Sequence, residues 1–284
     1  MDHSLEESSH SYTKFFILYD RKKVWWICVS DSVSSWWLNR HPHSWFVYMN
    51  PTLLPRIIEY AVSHNVQHLI LDYTCPIEDF PSCIFSCHTL TSLNLSGFIY
   101  NAILSHKPIF QFFLNLPALT SLSLKYFAFC RGDDGCVEPF STFKMLNSLV
   151  IDCCIVLDAQ KLCISSAKLV NLSILMWASV SETYIGIYFG IELYAPSLHT
   201  FAFTCRYTPK LFGSKSVLSS IKHVSIDLRC YLNSESRETS SFLLNWLDEL
   251  ANIESLTFCS NTIEVFYIVF IFFLSKIWLA LNWL

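Results

Sequence analysis

Glycine and charge are both scarce in this chain of 284 residues, which contains six glycines and only 15% charged residues. So few glycines leave little material for phosphate-holding loops, and the motifs GxGxxG and GxxxxGK[ST] do not occur. The formal net charge is -4 with a pI of about 6.2, so no polycationic surface exists for nucleic acid. The low charge and 52% apolar content also exclude intrinsic disorder. We therefore predict neither nucleotide chemistry nor a nucleic-acid partner.

The sequence also lacks the motifs of common enzymes and metal sites. It has no GxSxG and no HExxH. Cys83, Cys87 and His88 are not followed by a second ligand pair at a usual zinc spacing. The acidic pair Asp133 and Asp134 has neither EF-hand spacing nor a positioned base beside it. We predict that the protein is not an enzyme and has no catalytic, cofactor or metal site.

The chain does contain a repeated heptad of the form LxxLxLx. Eight copies occur, and successive copies begin 23 to 32 residues apart. The average spacing of about 27 residues lies inside the range of leucine-rich repeats. The first, fourth and sixth positions are apolar in every copy. The copies begin at Val66, Leu90, Leu119, Leu146, Leu169, Leu198, Ile221 and Ile253.

The spacing of the leucines predicts how these heptads fold. In an extended segment successive side chains face opposite ways, so the fourth and sixth positions point to the same side. One repeat cannot bury these side chains alone, but stacked repeats form a continuous apolar column, which would enclose Leu122 and Leu149. We predict an α/β leucine-rich-repeat solenoid. Its parallel sheet lines the concave face, and irregular or short helical connectors run over the convex face.

The repeats divide the chain into four segments. Residues 66–262 hold about eight repeats. Residues 52–65 have apolar side chains at helical spacing, which predicts a helix that caps the first repeat. Residues 1–51 are rich in aromatic side chains but aperiodic, and we leave them unassigned. Residues 263–284 form a hydrophobic C-terminal tail.

The tail raises the question of a membrane. Residues 265–284 carry one charged side chain, Lys276, and are long enough to span a bilayer as a helix. Three interpretations stay open: a C-terminal membrane anchor, burial as one more degenerate repeat, and non-native sequence such as translated intron. The N-terminus, MDHSLEESSHSYTK, lacks the basic start and apolar run of a signal peptide. We therefore expect a cytoplasmic or nuclear protein with reduced cysteines, or, as the alternative, a membrane protein held by the tail.

Four passages resemble the plant F-box proteins with leucine-rich repeats and an FBD domain. They are FPSCIFSCHTLTSLNLS (residues 80–96), LNSLVIDCC (146–154), IELYAPSLHTFAFT (191–204) and LLNWLDELANIESLTFCSNTIEVF (243–266). Such proteins recruit substrates to a cullin-based ubiquitin ligase: the F-box holds the linker subunit and the repeats hold the substrate. The resemblance implies that the repeats of this chain recognise a protein, one that would be a ubiquitination substrate.

The chain departs from that family at both ends. Residues 1–51 contain no F-box pattern of a Leu-Pro start and an Arg-Trp end. After residue 266 the apolar tail replaces the expected further repeats and FBD segment. The resemblance therefore implies substrate-type recognition without linker binding. Three functions stay open: a protein-binding module without its own F-box, a membrane-tethered repeat scaffold, and a truncated product without an independent role.

The strand positions that alternate with the core predict the binding face. Small hydroxyl side chains dominate there, which fits either a binding surface or crowding on a curved face. The side chains that we expect to orient a partner are His68, Asp72, Asn94, Lys125, Asp152, Asn171, His223 and Asp227.

Overall fold

The computed structural model shows a solenoid built mostly of parallel β-sheet, with few helices. It describes residues 14–20, 23–29, 53–72, 84, 87–97, 109–110, 116–130, 135–157, 159–176, 190–205, 210–213, 218–228, 245–247, 250, 252–260 and 262–263.

One helix and sixteen strands have defined bounds in these residues. The helix α1 spans Leu53–Ser63. The strands are β1 Lys14–Asp20, β2 Lys23–Val29, β3 His68–Asp72, β4 Ser92–Ser96, β5 Ser121–Lys125, β6 Ala128–Cys130, β7 Cys136–Val137, β8 Ser148–Asp152, β9 Ile155–Leu157, β10 Lys161–Ser165, β11 Asn171–Met176, β12 Gly190–Tyr194, β13 Thr200–Cys205, β14 Leu211–Gly213, β15 His223–Leu228 and β16 Ser255–Phe258.

A ten-stranded sheet forms one side of the solenoid. Its order is β16-β15-β13-β11-β8-β5-β4-β3-β1-β2. The strands from β3 to β16 pair in parallel, and each pairs the same heptad positions of neighbouring repeats, as in Leu93 with Leu122 and Leu122 with Leu149. Each strand of this stack therefore repeats the one before it without a shift in register.

The core lies on one side of this sheet. In the first seven heptads all three apolar positions are buried, and Leu122 and Leu149 are 0% exposed, which confirms the predicted register. In the eighth heptad Leu256 is 41% exposed. The difference follows from position, because β16 is the edge strand and has a neighbour on one side only among the described residues.

A four-stranded parallel sheet, in the order β14-β12-β10-β7, forms part of the opposite side. Its inward side chains, including Leu162, Ile164 and Ile191, belong to the same hydrophobic cluster as the leucines of the large sheet. Two short strands, β6 and β9, form a separate parallel pair. The described connectors thus contain strands where we expected irregular turns or short helices. The solenoid fold is confirmed, whereas the α/β class stays a prediction.

The N-terminal segment, which the sequence left unassigned, adds two strands to the large sheet. β1 and β2 form an antiparallel hairpin, and β1 pairs antiparallel with β3 through Leu18 and Leu69. The helix α1 buries Ile58 and Ala61 in the core cluster. The hairpin thus extends the sheet next to the first repeat, whereas the capping role of the helix stays a prediction.

No helix of the described residues is long and apolar enough to cross a membrane. The tail at 265–284, for which a membrane anchor was one of three interpretations, lies outside the described residues.

Candidate functional site: the strand face

The strand face comprises the side chains of the large sheet that point away from the core. They form three columns, because the pairing of the strands aligns the equivalent outward positions of successive heptads. Most described members are half-buried, because each is flanked by the equivalent side chain of the next strand. The first column contains His68, Ser92, Ser121, Ser148, Asn171, Thr200, His223 and Ser255. The second contains Ile70, Asn94, Ser123, Val150, Ser173, Ala202, Ser225 and Thr257.

The third column carries the charge of this face. It contains Asp72, Ser96, Lys125, Asp152, Leu175, Thr204 and Asp227. Cys259, at the equivalent position of the eighth heptad, follows the end of β16.

An ion pair between adjacent strands marks the middle of the third column. Lys125 Nζ lies 3.0 Å from Asp152 Oδ2 and 5.0 Å from the centre of the Tyr126 ring. Partial burial lowers the pKa of Lys125, but the hydrogen bond and the negative charge of Asp152 outweigh it, so the net shift is upward. Burial and the neighbouring Cys153 raise the pKa of the Tyr126 hydroxyl. The pair is therefore a fixed, oppositely charged group that can orient a partner.

The residue that follows each member of this pair in the chain has a left-handed backbone conformation. Tyr126 has φ 63° and Cys153 has φ 53°, a conformation that costs a non-glycine residue about 1–2 kcal/mol. Each turn still extends the ladder, because the Tyr126 N–H donates to Asp152 O at 2.9 Å and the Cys153 N–H donates to Leu175 O at 2.7 Å. These sharp turns hold Lys125 and Asp152 at the C-terminal ends of their strands.

Two imidazoles and a second ion pair lie at the opposite side of the sheet, where the strands begin. The rings of His199 and His223 meet edge to face, with their centres 5.0 Å apart. Lys222 pairs with Glu254, and the hydrogen bond from this lysine lowers the pKa of the Glu254 carboxyl. His199, Lys222 and Glu254 were not predicted, because they lie in the turns just before β13, β15 and β16 and not in the strand columns.

The predicted binding residues occupy one surface but do not converge on one point. Lys125 and Asp152 are in contact, whereas Asn94, Asn171 and His223 lie on separate strands of the same face. His68 is exposed and Asp227 is half-buried at opposite ends of the stack. The backbone of Asp72 is in register with that of Ser96, and the structure does not describe the Asp72 side chain. Such an arrangement suits contact with an extended surface and not the enclosure of a small molecule.

A second cluster, which sequence reasoning missed, lies on the side of the small sheet that faces away from the core. The cysteines Cys136 and Cys163 are close enough to be joined as a disulfide, with 6.3 Å between their Cα atoms. Cys163 Sγ lies 3.6 Å from Glu192 Oε2, and the donor atoms of the three residues all lie within 4.8 Å of one another. We expected reduced cysteines and no metal site, and no prediction concerned these positions.

Two further side chains hold the Glu192 carboxylate. Lys161 Nζ lies 3.4 Å from Glu192 Oε2 and 4.3 Å from the centre of the Phe212 ring. The Tyr194 hydroxyl donates to Glu192 Oε1 at 2.7 Å, and this hydrogen bond raises the pKa of Tyr194. The carboxylate therefore has a fixed orientation beside the two sulfur atoms.

Comparison with known proteins gives no relative: no protein-family model, no curated protein and no solved structure matches the chain.

Proposed function

We propose that the chain is a leucine-rich-repeat module that binds a protein partner on its strand face. The observation that carries the proposal is the unshifted stacking of eight parallel strands, which aligns small polar side chains into continuous columns. Repeat solenoids of this kind bind partners over extended surfaces. Among the described residues of this face, no nucleophile lies beside a general base in an arrangement that would suggest catalysis.

The chemistry of the face indicates what kind of partner it fits. Serine, threonine and asparagine offer hydrogen bonds with little steric bulk, so a partner can approach the sheet closely. Charged anchors are few, and Lys125 and Asp152 offer both signs at one place. A protein surface with its own polar groups and one charged pair matches this pattern better than a polyanion does.

The resemblance to plant F-box proteins suggests that the partner is a ubiquitination substrate. Residues 1–51 show no F-box pattern, and residues 14–20 and 23–29 form a hairpin of the large sheet instead of F-box helices. We therefore expect that the purified chain forms no complex with the ligase linker subunit in size-exclusion chromatography. A stoichiometric complex would assign adaptor activity to the chain and contradict this part of the proposal.

Arginine substitutions on matched serines test the binding face. Ser148 lies in the first column, between Ser121 and Asn171, whereas Ser141 is exposed in the connector before β8. We expect Ser148→Arg to abolish, and Ser141→Arg to retain, the capture of a specific set of proteins measured by quantitative mass spectrometry. Equal capture by both variants would show that the strand face is not the binding surface and that its small side chains reflect crowding.

A further inference from the structure

The cluster on the small sheet combines two sulfur ligands and one oxygen ligand from three different strands. Cys136 lies on β7, Cys163 on β10 and Glu192 on β12. In β10 the side chains of Leu162 and Ile164 enter the core, so Cys163 between them points to the opposite side of the sheet. Glu192 pairs with Cys163 in register, which places its carboxylate on that same side.

In the oxidised state Glu192 already accepts from Tyr194 and pairs with Lys161, so its carboxylate is held beside the two sulfur atoms. When the disulfide is reduced, the two thiols and the carboxylate have donor atoms within 4.8 Å of one another, close enough for one cation to bind all three. Zinc is bound by cysteine sulfur and carboxylate oxygen at about 2.3 Å and about 2.0–2.2 Å, so tetrahedral geometry separates such ligands by about 3.5 Å. The observed distance of 3.6 Å between Cys163 Sγ and Glu192 Oε2 matches that edge.

We propose that the reduced Cys136 and Cys163, together with Glu192, bind one Zn²⁺ ion in a three-ligand site on the outer face of the small sheet. Binding converts both thiols to thiolates, so two protons leave for each ion that enters, and no atom is oxidised or reduced. The fourth position of the tetrahedron is taken by water. Disulfide and zinc are then alternative states of the same cysteine pair: a two-electron reductant such as a phosphine must first cleave the S–S bond to two thiols, which then separate to bind the ion.

The surroundings fit this ion. Two thiolates, a carboxylate and Zn²⁺ sum to one negative charge, which the Lys161 ammonium beside Glu192 balances. Tyr194 holds the carboxylate oxygen that does not face Cys163, the type of second-shell hydrogen bond that orients metal-ligating carboxylates. Cys163 is 6% exposed, whereas Cys136 is more exposed, so the ion has a route from solvent.

Cobalt and zinc binding to the full chain test the proposal. The protein is first reduced with a phosphine, and free thiols are counted before metal is added. Co²⁺ bound by thiolates gives a charge-transfer band and intense visible bands typical of four-coordinate geometry, and Zn²⁺ should displace it. Because the chain has twelve cysteines, the result is the difference between variants and not the total metal bound.

We expect the wild-type protein to bind one equivalent of Co²⁺ at this site. Cys163→Ser and Glu192→Gln should lose that equivalent, and the control Cys130→Ala should keep it. Glu192→Gln preserves the side-chain shape, so it separates loss of a ligand from loss of the fold, which circular dichroism checks. Tyr194→Phe should weaken binding about 10-fold or more through the lost second-shell hydrogen bond. Metal binding unchanged in Cys163→Ser would overturn the proposal. So would a pair that stays oxidised after phosphine treatment of the folded protein, since it would then be a structural disulfide only.

Discussion

Leu122 and Leu149 occupy the fourth position of neighbouring heptads and are fully enclosed in the core. Their strand neighbours Ser123 and Val150 point to the strand face and are half-buried. At this scale the burial of a single side chain decides how much a substitution costs. Leu122, which is apolar, and Thr262, which is polar, are both fully buried, and substitutions at each measure what burial contributes to the free energy of unfolding.

Leu122→Asp should destabilise the protein by about 3–5 kcal/mol, because it places an unpaired carboxylate in an apolar column. Ser123→Asp is the matched control on the same strand, and its side chain stays on the half-exposed face. Urea unfolding of both variants gives the difference in the free energy of unfolding. If Leu122→Asp melts within about a degree or two of wild type, the assigned register is wrong.

Thr262 is a polar residue with 0% exposure near the last described strand. Its hydroxyl accepts a hydrogen bond from the Leu228 N–H at 2.8 Å and donates to Ile226 O at 3.1 Å. Thr262→Val keeps the shape but leaves that N–H without an acceptor, so we expect a loss of about 1–3 kcal/mol. Thr262→Ser retains the hydroxyl and should lose less. The order of the two unfolding midpoints checks the argument, and the reverse order would contradict it.

At the scale of the element, the sequence predicts some strands well and others poorly. The eight heptad strands of the large sheet follow from the LxxLxLx spacing, because apolar side chains alternate with outward ones in each copy, and in the first seven copies these apolar side chains are buried. β1 and β2 belong to no repeat, so no periodicity indicated that they would extend the sheet. β10 and β12 alternate too, as KLCIS and GIELY, but each run is too short to be distinguished from a connector without its neighbours.

The same limit applies to the sites. The columns of the strand face could be predicted because strand alternation alone determines which side chains point outward. The sulfur and carboxylate cluster could not, because it depends on the pairing of connector strands. A weak signal does exist: Cys163 and Glu192 each lie six residues before a heptad, those that begin at Leu169 and Leu198.

The helix α1 contributes to the fold through the face that it buries. Ile58 is 0% exposed in the core cluster, whereas Glu59 beside it is exposed. We expect Ile58→Ala to lower the free energy of unfolding by about 2–5 kcal/mol through lost contacts and a cavity. Glu59→Ala should stay within about 0.5 kcal/mol of wild type. Equal effects of the two substitutions in chemical unfolding would show that the helix does not depend on the core.

At the scale of the whole molecule, the stack has two different ends. One end is extended by the β1 and β2 hairpin, and the other described end is the edge strand β16, with Leu256 41% exposed. The tail that follows in the sequence is nearly all apolar, and its use stays a prediction. Its capacity to enter a membrane can be measured apart from the rest of the chain.

Residues 265–284 fused to a water-soluble reporter should insert into membranes. Thirteen Phe, Ile, Leu or Val residues at about -0.4 kcal/mol each favour insertion by roughly 5 kcal/mol, against about 3 kcal/mol for Lys276. Carbonate extraction separates inserted from peripheral protein, and a fusion in which four of the phenylalanines and isoleucines are replaced by serine is the control. A reporter that carries the intact tail and remains in the supernatant would exclude the anchor.

The bond between Cys136 and Cys163 also sets how far the molecule can be stretched. A pulling force on the two termini should separate neighbouring repeats one after another, because each strand is bonded only to adjacent strands. The oxidised pair ties together positions 27 residues apart, so the segment between them cannot lengthen. At about 3.5 Å per extended residue, the oxidised chain should release roughly 90 Å less contour length than the reduced chain. Optical tweezers can measure that difference, which Cys163→Ser should abolish. The redox state of one cysteine pair would then limit the maximum extension of the solenoid under tension.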